Sequence, residues 1–299
     1  MQPVRYHAPV RLALITFVAM LAFAGNSLLC RVALKSTSID AASFTSIRIL
    51  SGALVLWAIV RMRGSLQAAA GSWPSAFWLF AYAAGFSFAY VTLPAATGAL
   101  LLFGAVQATM IGYGLWKGER LVAIQVAGML MAFAGLAGLL LPGASAPPAV
   151  GAALMLFAGI SWGIYSLRGR GAGDPTRVTA GNFLRAVPFA ALVSLALFSR
   201  ASVDAAGAIY AMASGALASG VGYAIWYTAV RELKATSAAT VQLSVPVIAA
   251  LGGVAFLGEP ITLRLVLSSA AILGGVAMVT LAGKARAATP ADSAPGGAR

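Results

Sequence analysis

Two short stretches of this chain, "WKGERL" at 116–121 and "FLGEPI" at 256–261, each place a glutamate after a glycine. The chain has seven acidic side chains in all, so Glu119 and Glu259 are the first candidates for a proton-coupling pair of carboxylates. The preceding glycine is typical of the left-handed end of one helix, and a carboxylate that opens the next helix is stabilised by the helix dipole. We therefore interpret both glutamates as helix-end residues rather than as a proton site.

Groups suited to metal binding or nucleophilic catalysis are scarce. Cys30 is the one cysteine and His7 is the one histidine. The other acidic residues fall in loops, at helix ends or in the C-terminal segment: Asp40, Asp174, Asp204, Glu232 and Asp292. Because metal sites need clustered carboxylates, histidines or thiolates, the sequence predicts no catalytic residue, no metal and no cofactor, and therefore no enzyme.

Neutral polar and aromatic side chains inside long apolar runs are the remaining candidates for binding. A polar group in such a run is costly to bury without a partner. The predicted substrate-binding residues are Asn26, Tyr82, Gln107, Ser161, Trp162, Tyr223, Gln242 and Ser244. For any one polar residue, a hydrogen bond between helices explains its presence equally well. For aromatic residues the alternative is lipid packing or an interfacial belt, which fits Tyr90 and Trp226 best.

Two prolines also fall inside apolar runs. A proline removes a backbone hydrogen bond and frees a carbonyl, so Pro188 and Pro246 predict interruptions or kinks in their helices. A freed carbonyl is tolerated where it lines a cavity. Pro246, close to Gln242 and Ser244, is therefore the predicted gate or binding-site bend.

Arg48 and Arg185 lie about eight residues into their apolar runs, where an unpaired charge costs several kcal/mol. Such an arginine can be the counter-charge for a substrate carboxylate, or it can bond backbone carbonyls at an interface. Because an arginine recurs in both halves of the chain, we favour the structural role.

The runs that position these residues are those of a polytopic membrane protein. The chain is 61% hydrophobic and 9% charged, with a mean hydropathy of +0.91. Its apolar runs are about 20 residues long, which is enough to cross a hydrocarbon core of about 30 Å. The sequence predicts an all-α integral membrane protein with ten transmembrane helices at 10–34, 41–62, 73–93, 95–116, 121–141, 149–168, 177–199, 205–230, 236–257 and 261–283.

The distribution of positive charge predicts the orientation of these helices. Fourteen lysines and arginines fall on the side of the termini: Arg5, Arg11, Arg61, Arg63, Lys117, Arg120, Arg168, Arg170, Arg177, Arg231, Lys234, Lys284, Arg286 and Arg299. Three fall on the other side, namely Lys35, Arg200 and Arg264. Both termini should therefore be cytoplasmic. Since the charge is scattered through short loops, nucleic-acid binding is not expected despite a net charge of +13.

The chain contains an internal repeat. A shift of 140 residues places Gly118 and Glu119 on Gly258 and Glu259, and a shift of 134 lays "FAGNS" at 23–27 on "FAGIS" at 157–161. We interpret the chain as an N-terminal tail at 1–9, a five-helix unit at 10–141, a linker at 142–148, a second unit at 149–283, and a disordered C-terminal tail at 284–299. Since five is odd, the second unit is inverted. Small residues at four-residue spacing, Gly128/Ala132 and Ala271/Gly275, predict tight helix packing or a dimer face.

These paired units, the "GE" after the fourth helix of each and the arginine in the second helix of each resemble EamA-type transporters of the drug/metabolite transporter superfamily. The branch most similar is that of bacterial exporters of amino acids, including aromatic ones. The resemblance covers about 270 residues and implies ten helices around a central cavity that opens alternately to the two sides of the membrane.

The resemblance and the residues together predict an inner-membrane exporter of amino acids or related small metabolites. Because no carboxylate is expected at membrane depth, facilitated transport is favoured over coupling through a carboxylate. The alternatives are an efflux carrier for cationic drugs, which should have an embedded carboxylate, and a membrane-embedded enzyme or scaffold. The expected partners are a small-molecule substrate and the lipid bilayer, and the sequence leaves the oligomeric state open.

Overall fold

The computed structural model describes residues 7–64, 70–118, 120–143, 145–169, 173–233 and 241–288, and its regular structure is entirely helical there. Ten long helices follow one another in the described residues: α1 His7–Ser36, α2 Ala41–Met62, α3 Trp73–Tyr90, α4 Ala95–Trp116, α5 Ala123–Leu140, α6 Ala149–Arg168, α7 Pro175–Ala196, α8 at 205–232, α9 Ser244–Leu257 and α10 Leu263–Ala288. A 3-10 turn, Phe198–Arg200, follows α7. Eight of the ten are long and apolar enough to cross a membrane, and α9 is a shorter apolar helix.

The ten helices predicted from the sequence are confirmed, with differences at their ends. The third ends at Tyr90 rather than at 93, and the last continues to Ala288 instead of stopping at 283. Residues 234–240, which include the start of the ninth predicted helix, lie outside the described residues, as do Glu119 and residues 289–299.

Capping residues set several helix starts. The Asp40 carboxylate accepts hydrogen bonds from the backbone N–H groups of Ala42 and Ser43 at 2.9 and 3.0 Å, which satisfies donors that have no partner within α2. Asp174 and Asp204 accept in the same way at the starts of α7 and α8. α9 ends on Gly258 with φ +61°, as the glycine before Glu259 predicts.

Each helix of the first half packs against helices of the second half. α1 contacts α8 and α9, α2 contacts α7 and α8, α3 contacts α6 and α7, α4 contacts α6 and α9, and α5 contacts α10. The α5–α10 pair is built on the predicted small residues, because a Cβ at Gly128 would lie 2.6 Å from the carbonyl oxygen of Gly275. The prediction of tight helix packing is therefore confirmed for this pair.

Hydrogen bonds between loops and helix ends define the two ends of the bundle. At one end, which we call the closed end, side chains at 31–40 bond to groups at 90–91, 202 and 257–259. At the other, which we call the open end, side chains at 63 and 182 bond to groups at 176 and 72, and Arg168 bonds to Ser75. α1 begins at the open end, and α10 finishes there.

Candidate substrate cavity

A cavity of about 400 Å³ lies in the middle of the bundle and extends to the open end. Its lining comes from α1, α3, α4, α6, α7, α8 and the short turn before α9. The innermost lining residues, such as Asn26 and Phe86, lie inside their helices, ten and four residues before the helix ends at the closed end, whereas Gly169 and Pro175 stand at helix ends on the open side. One helical turn beyond the innermost residues, Cys30 and Tyr90 are completely buried and fill the bundle toward the closed end. The described structure is thus accessible from one end.

Six of the eight predicted binding residues line this cavity: Asn26, Tyr82, Gln107, Trp162, Tyr223 and Gln242. Gln107 also borders a second, apolar crevice of about 280 Å³ between α4, α5 and α10. Ser161 is completely buried outside the lining, and its hydroxyl has no hydrogen-bond partner among the described residues. Ser244 donates to the carbonyl of Val241 at 2.7 Å, a bond within its own chain segment.

Three aromatic rings from three different helices form one wall of the cavity. The indole of Trp162 on α6 lies 4.8 Å from the ring of Tyr82 on α3 and stacks at 5.4 Å and 29° on Tyr223 of α8. Phe23 of α1 contacts Tyr223 edge to face at 5.7 Å. Rings in such arrangements offer a flat apolar surface with polar edges, which suits an amphipathic ligand with an apolar or aromatic portion.

The floor of the cavity is a network of hydrogen bonds centred on the Tyr82 hydroxyl. Arg48 of α2 donates to this oxygen from Nη2 at 2.9 Å, and Asn26 donates from Nδ2 at 3.3 Å. Asn26 in turn accepts a bond of 2.6 Å from the hydroxyl of Ser214. The network joins α1, α2, α3 and α8 within one helical turn of Phe86, an innermost lining residue of the cavity.

The middle of α8 departs from α-helical geometry. Its flanks, Ala205–Ala213 and Gly222–Glu232, are α-helical, whereas Ser214–Val221 forms a π-helix. This wider turn presents Ser214 to Asn26 and places Ser219 in the cavity wall, where its hydroxyl has no protein partner in the described structure. π-Helical turns are frequent at functional sites. The sequence analysis did not predict it, although the segment contains two Ser-Gly pairs, Ser214-Gly215 and Ser219-Gly220, of a kind common where helices are irregular.

Sequence reasoning also missed a polar cluster near the open end. Thr179 donates to the hydroxyl of Tyr227 at 3.1 Å and accepts from Tyr165 at 3.4 Å, while Asn182 donates to Tyr165 at 3.4 Å. All four residues line the cavity. The spacing of Thr179 and Asn182 could have indicated this cluster, because residues three apart in a helix lie on one face, here a face of α7 with two small polar side chains.

The two prolines are placed differently from each other. Pro188 is exposed on the outer face of α7, and the helix continues through it, so the chain is not interrupted there and the predicted kink stays a prediction. Pro246 stands in the first turn of α9, directly after a turn at Leu243 that breaks the helical run. Because proline carries no N–H, Pro246 leaves the carbonyl of Gln242, four residues earlier, without its usual helical donor. Its role as a gate stays a prediction.

Two aromatic residues do not lie where an interfacial belt would have them. Tyr90 is fully buried, donates to the carbonyl of Ala95 at 3.3 Å and packs on Phe86. Trp226 is 8% exposed and lines the cavity. The repeat explains the second case, since Trp226 corresponds to Phe86, another lining residue to which the sequence assigned no role.

Glu259 has a partner set that the sequence did not predict. Its Oε1 accepts from Nε of Arg31 at 2.9 Å, and its Oε2 accepts from the backbone N–H of Ala95 at 2.7 Å. Glu259 therefore caps α4 and pairs with α1, whereas α10 begins only at Leu263 and is capped by Thr262. The prediction that this glutamate opens the following helix is wrong. It bonds across the fold because its loop folds back over α4.

Comparison with known proteins gives three findings. Residues 149–281 match the model of the EamA-like transporter family. An uncharacterized protein of Pseudomonas aeruginosa is 57% identical over 279 residues, which cover 93% of this chain and 97% of that protein. A crystal structure covers 94% of this chain and 99% of its own, with 24% identity and a TM-score of 0.64, so the two share a fold.

Proposed function

We propose that this chain, whose residues 149–281 match the model of the EamA-like transporter family, exports amino acids or related small metabolites across the bacterial inner membrane. Members of that family are membrane transporters of small molecules and not enzymes, and the apolar helices make this chain a multi-pass membrane protein. What we propose beyond this is the class of substrate, the outward direction of transport and the location in the inner membrane.

The observation that carries the proposal is the chemistry of the cavity. Among the described residues that line it, none is charged, and aromatic rings alternate with neutral donors and acceptors such as Asn26, Gln107 and Gln242. An amino acid must exchange the hydration of its ammonium and carboxylate groups for protein groups of this kind. A volume of about 400 Å³ lies within the usual range of small-molecule sites.

We further propose alternating access between two inverted five-helix units, at 10–141 and 149–283. The pairing of helices supports it. If each helix of α1–α5 is replaced by its counterpart in α6–α10 and the reverse, the same kinds of contact are found: the pair α1–α8 becomes α6–α3, and the pair α1–α9 becomes α6–α4. α2 with α7 and α5 with α10 map onto themselves. Inverted repeats of this kind place a site near the bilayer midplane and open it to each side in turn.

Facilitated transport is the mechanism that fits the charges best. The carboxylate of Glu259 is engaged at the closed end by Arg31 and Ala95, away from the cavity lining. A carrier that couples through a carboxylate should expose one to its substrate path. Flux should therefore proceed without an imposed proton gradient. With both termini in the cytoplasm, as the distribution of charge predicts, the open end faces the cytoplasm, where an exporter loads.

Counterflow in liposomes tests the proposal. The purified full chain, loaded with one compound, is challenged with a panel of amino acids and with cationic drugs, with and without a proton gradient. Exchange of amino acids without the gradient is the expected result. Exchange of drugs alone would favour the rival function, for which the rings of Tyr82, Trp162 and Tyr223 could hold a cation. Exchange of neither class, or strict dependence on the gradient, would contradict the proposal.

A further inference from the structure

Arg48 is a buried charge without a carboxylate. Its side chain is 1% exposed, its guanidinium carbon lies 4.7 and 5.2 Å from the ring centres of Phe86 and Tyr82, and its Nη1 has no hydrogen-bond partner in the described structure. Among the described residues Arg31 pairs with Glu259, whereas Arg48 has no carboxylate partner. A cation at this depth is costly unless something compensates for it.

The corresponding arginine of the second half is placed differently. Arg185 is only partly buried and donates to the backbone carbonyls of Ala70 and Gly181 at 3.2 and 3.0 Å. That is the interfacial role which the recurrence of the arginine suggested for both halves. Arg48 does not share it, because its recorded partner is the hydroxyl of Tyr82, a side chain that lines the cavity. A shared structural role therefore does not account for Arg48.

The direction of hydrogen bonding at Tyr82 follows from its donors. An arginine has no acceptor, so the phenol oxygen must accept the bond from Arg48, and it also accepts from Asn26. The hydrogen of the phenol is used in neither bond. Since Tyr82 forms part of the cavity wall, that hydrogen is available to an acceptor in the cavity. The guanidinium behind the oxygen polarises the hydroxyl and makes it a stronger donor.

We propose that the Tyr82 hydroxyl binds the carboxylate of the transported molecule and that Arg48 acts behind it as a positioning residue and fixed counter-charge. This inference rests on the proposed function and assigns its substrate class: molecules with a carboxylate, whose negative charge offsets that of Arg48. The carboxylate lies on the floor, beside Asn26 and the unpartnered hydroxyl of Ser219. The apolar portion then lies against Trp162 and Tyr223, nearer the open end.

The same geometry disfavours cations. A positively charged group bound beside the Tyr82 hydroxyl would lie close to the guanidinium of Arg48, which donates to the same oxygen. No described carboxylate lies between the two charges. In a low-dielectric interior such repulsion is stronger than in water. The aromatic wall alone would accept a cation, but the floor below it opposes one.

Four probes that share a benzyl group isolate the effect of the carboxylate: phenylalanine, phenylalaninamide, 3-phenylpropionate and phenethylamine. Their dissociation constants are measured by calorimetry on the purified full chain. Each carboxylate should bind at least about tenfold more tightly than its amide or amine counterpart, which is the usual contribution of one hydrogen bond to a charged group. In Tyr82→Phe the preference of phenylalanine over its amide should fall about tenfold.

Substitutions of the two arginines separate positioning from packing. Arg48→Lys keeps the charge and should retain most of the preference, whereas Arg48→Gln should lose it. Arg185→Gln, the matched control in the other half, should leave the ratio of the two dissociation constants unchanged. A general loss of stability would shift all four probes together and leave that ratio intact. If Arg48→Gln does not fold, Tyr82→Phe and Arg48→Lys decide the question.

Three results would overturn the inference. The first is equal affinity of phenylalanine and its amide for the unmodified protein, which leaves the proposed function standing if amino acids still exchange in counterflow. The second is an unchanged preference in Tyr82→Phe. The third is a loss of preference in Arg185→Gln equal to that in Arg48→Gln. If none of the four probes binds and no amino acid exchanges, the proposed function fails as well.

Discussion

The two ends of the bundle are held together by different chemistry. At the closed end an ion pair between Arg31 and Glu259 joins α1 to the turn before α10, and both partners also bond to backbone groups. At the open end Arg63 and Arg168 donate to the hydroxyls of Thr176 and Ser75 rather than to a carboxylate, and the bonds of 3.1–3.4 Å among Tyr165, Thr179 and their neighbours are neutral. A transporter that must open each end in turn needs one end fastened while the other is accessible. Here a charge pair fastens the end that is shut.

The ion pair at the closed end links four elements through two side chains, those of Arg31 and Glu259. Arg31 donates from Nη1 to the carbonyls of Tyr90 and Val91 at 2.9 and 3.1 Å, so it also anchors the end of α3. Glu259 reaches the first turn of α4 through Ala95. Because the side chains of Arg31 and Glu259 are only 11% and 6% exposed, water screens their attraction weakly. We expect the closed end to be the more sensitive of the two to substitution.

Glu259→Gln should have the largest effect on this difference between the ends. It removes the negative charge and leaves Arg31 buried without its counter-ion, a kind of change that costs about 3 kcal/mol. The closed end should loosen, and Cys30, completely buried one turn from the open cavity, should become reachable from that side. Because Cys30 is the one cysteine of the chain, labelling by a membrane-impermeant maleimide reports on this end without further engineering. The rate of labelling and the melting temperature are the measurements.

Lys35→Gln provides the control for that variant. Lys35 donates to the carbonyl of Leu257 at the same end, but this bond is exposed. It should therefore contribute less than about 1 kcal/mol. Labelling of Cys30 should stay slow in it. Equal labelling of Cys30 in Glu259→Gln and in the unmodified protein would show that the ion pair does not keep the closed end shut.

Substitutions in the cavity should change affinity and leave the closed end intact. Trp162→Ala removes the ring that lies between Tyr82 and Tyr223, and stacking of this kind contributes about 0.5–1.5 kcal/mol in addition to the buried area. We expect substrate affinity to fall about tenfold. Gln242→Ala removes one donor and acceptor and should lower affinity about fivefold. Binding isotherms for amino acids measure both, and insertion into the membrane should be normal.

Unchanged affinity in both alanine variants would place the binding site elsewhere. Slow labelling of Cys30 in both variants is part of the same prediction, because neither residue belongs to the closed end. A variant that loses affinity and also exposes Cys30 would show instead that the two ends are coupled through Trp162 or Gln242. That result would contradict the separation between the fastened end and the binding end.

Asp40 should make the stability of the closed end depend on pH. Burial alone would raise the pKa of this carboxyl, but hydrogen bonds from Ser43, Ser202 and Ala42 outweigh it and lower the pKa below the ordinary value of 3.8. A lowered pKa in the folded state means that the stabilisation is complete above the unfolded pKa of about 3.9 and is lost as the pH falls through the folded value. Melting temperatures should thus be insensitive to this group between about pH 5 and pH 8.

Asp40→Asn isolates this contribution. The variant should lose about 1 kcal/mol at neutral pH, because the amide replaces an oxygen that accepts from Ser202 and weakens the cap of α2. The difference in stability from the unmodified protein should shrink below about pH 4. A difference that stays constant from pH 7 to pH 3 would show that the carboxylate form of Asp40 contributes nothing at this end.

The number and approximate bounds of the helices follow from the sequence because bilayer thickness fixes the length of an apolar run. Capping aspartates and left-handed glycines then mark the ends, as Asp40 and Gly258 do. The cavity residues Asn26, Gln107 and Gln242 were also predictable, since each is a polar group inside an apolar run. These features depend on local composition, which one sequence carries.

The partners of the charged residues did not follow from the sequence. Glu259 bonds to Ala95, 164 residues earlier, and no local pattern indicates which helix start a distant carboxylate will cap. The difference between Arg48 and Arg185 is hidden for the same reason, since both occupy corresponding positions in the repeat while their surroundings differ. The π-helix at Ser214–Val221 depends on how α8 packs against α1 and α2. Long-range packing decides all three.

The smallest predicted effect belongs to Tyr90, which lies at the closed end beside the ion pair. Tyr90→Phe removes the neutral hydrogen bond, 3.3 Å long, from the phenol to the carbonyl of Ala95 and keeps the ring that packs on Phe86. A bond of this kind contributes about 0.5–1.5 kcal/mol, and its length places it at the lower bound. The melting temperature should fall slightly, and Cys30 should stay as slow to label as in the unmodified protein. If Tyr90→Phe instead exposes Cys30 as much as Glu259→Gln does, neutral packing holds the closed end. The ion pair would then be incidental, and the contrast between a charged fastening at one end and a neutral cavity at the other would not hold.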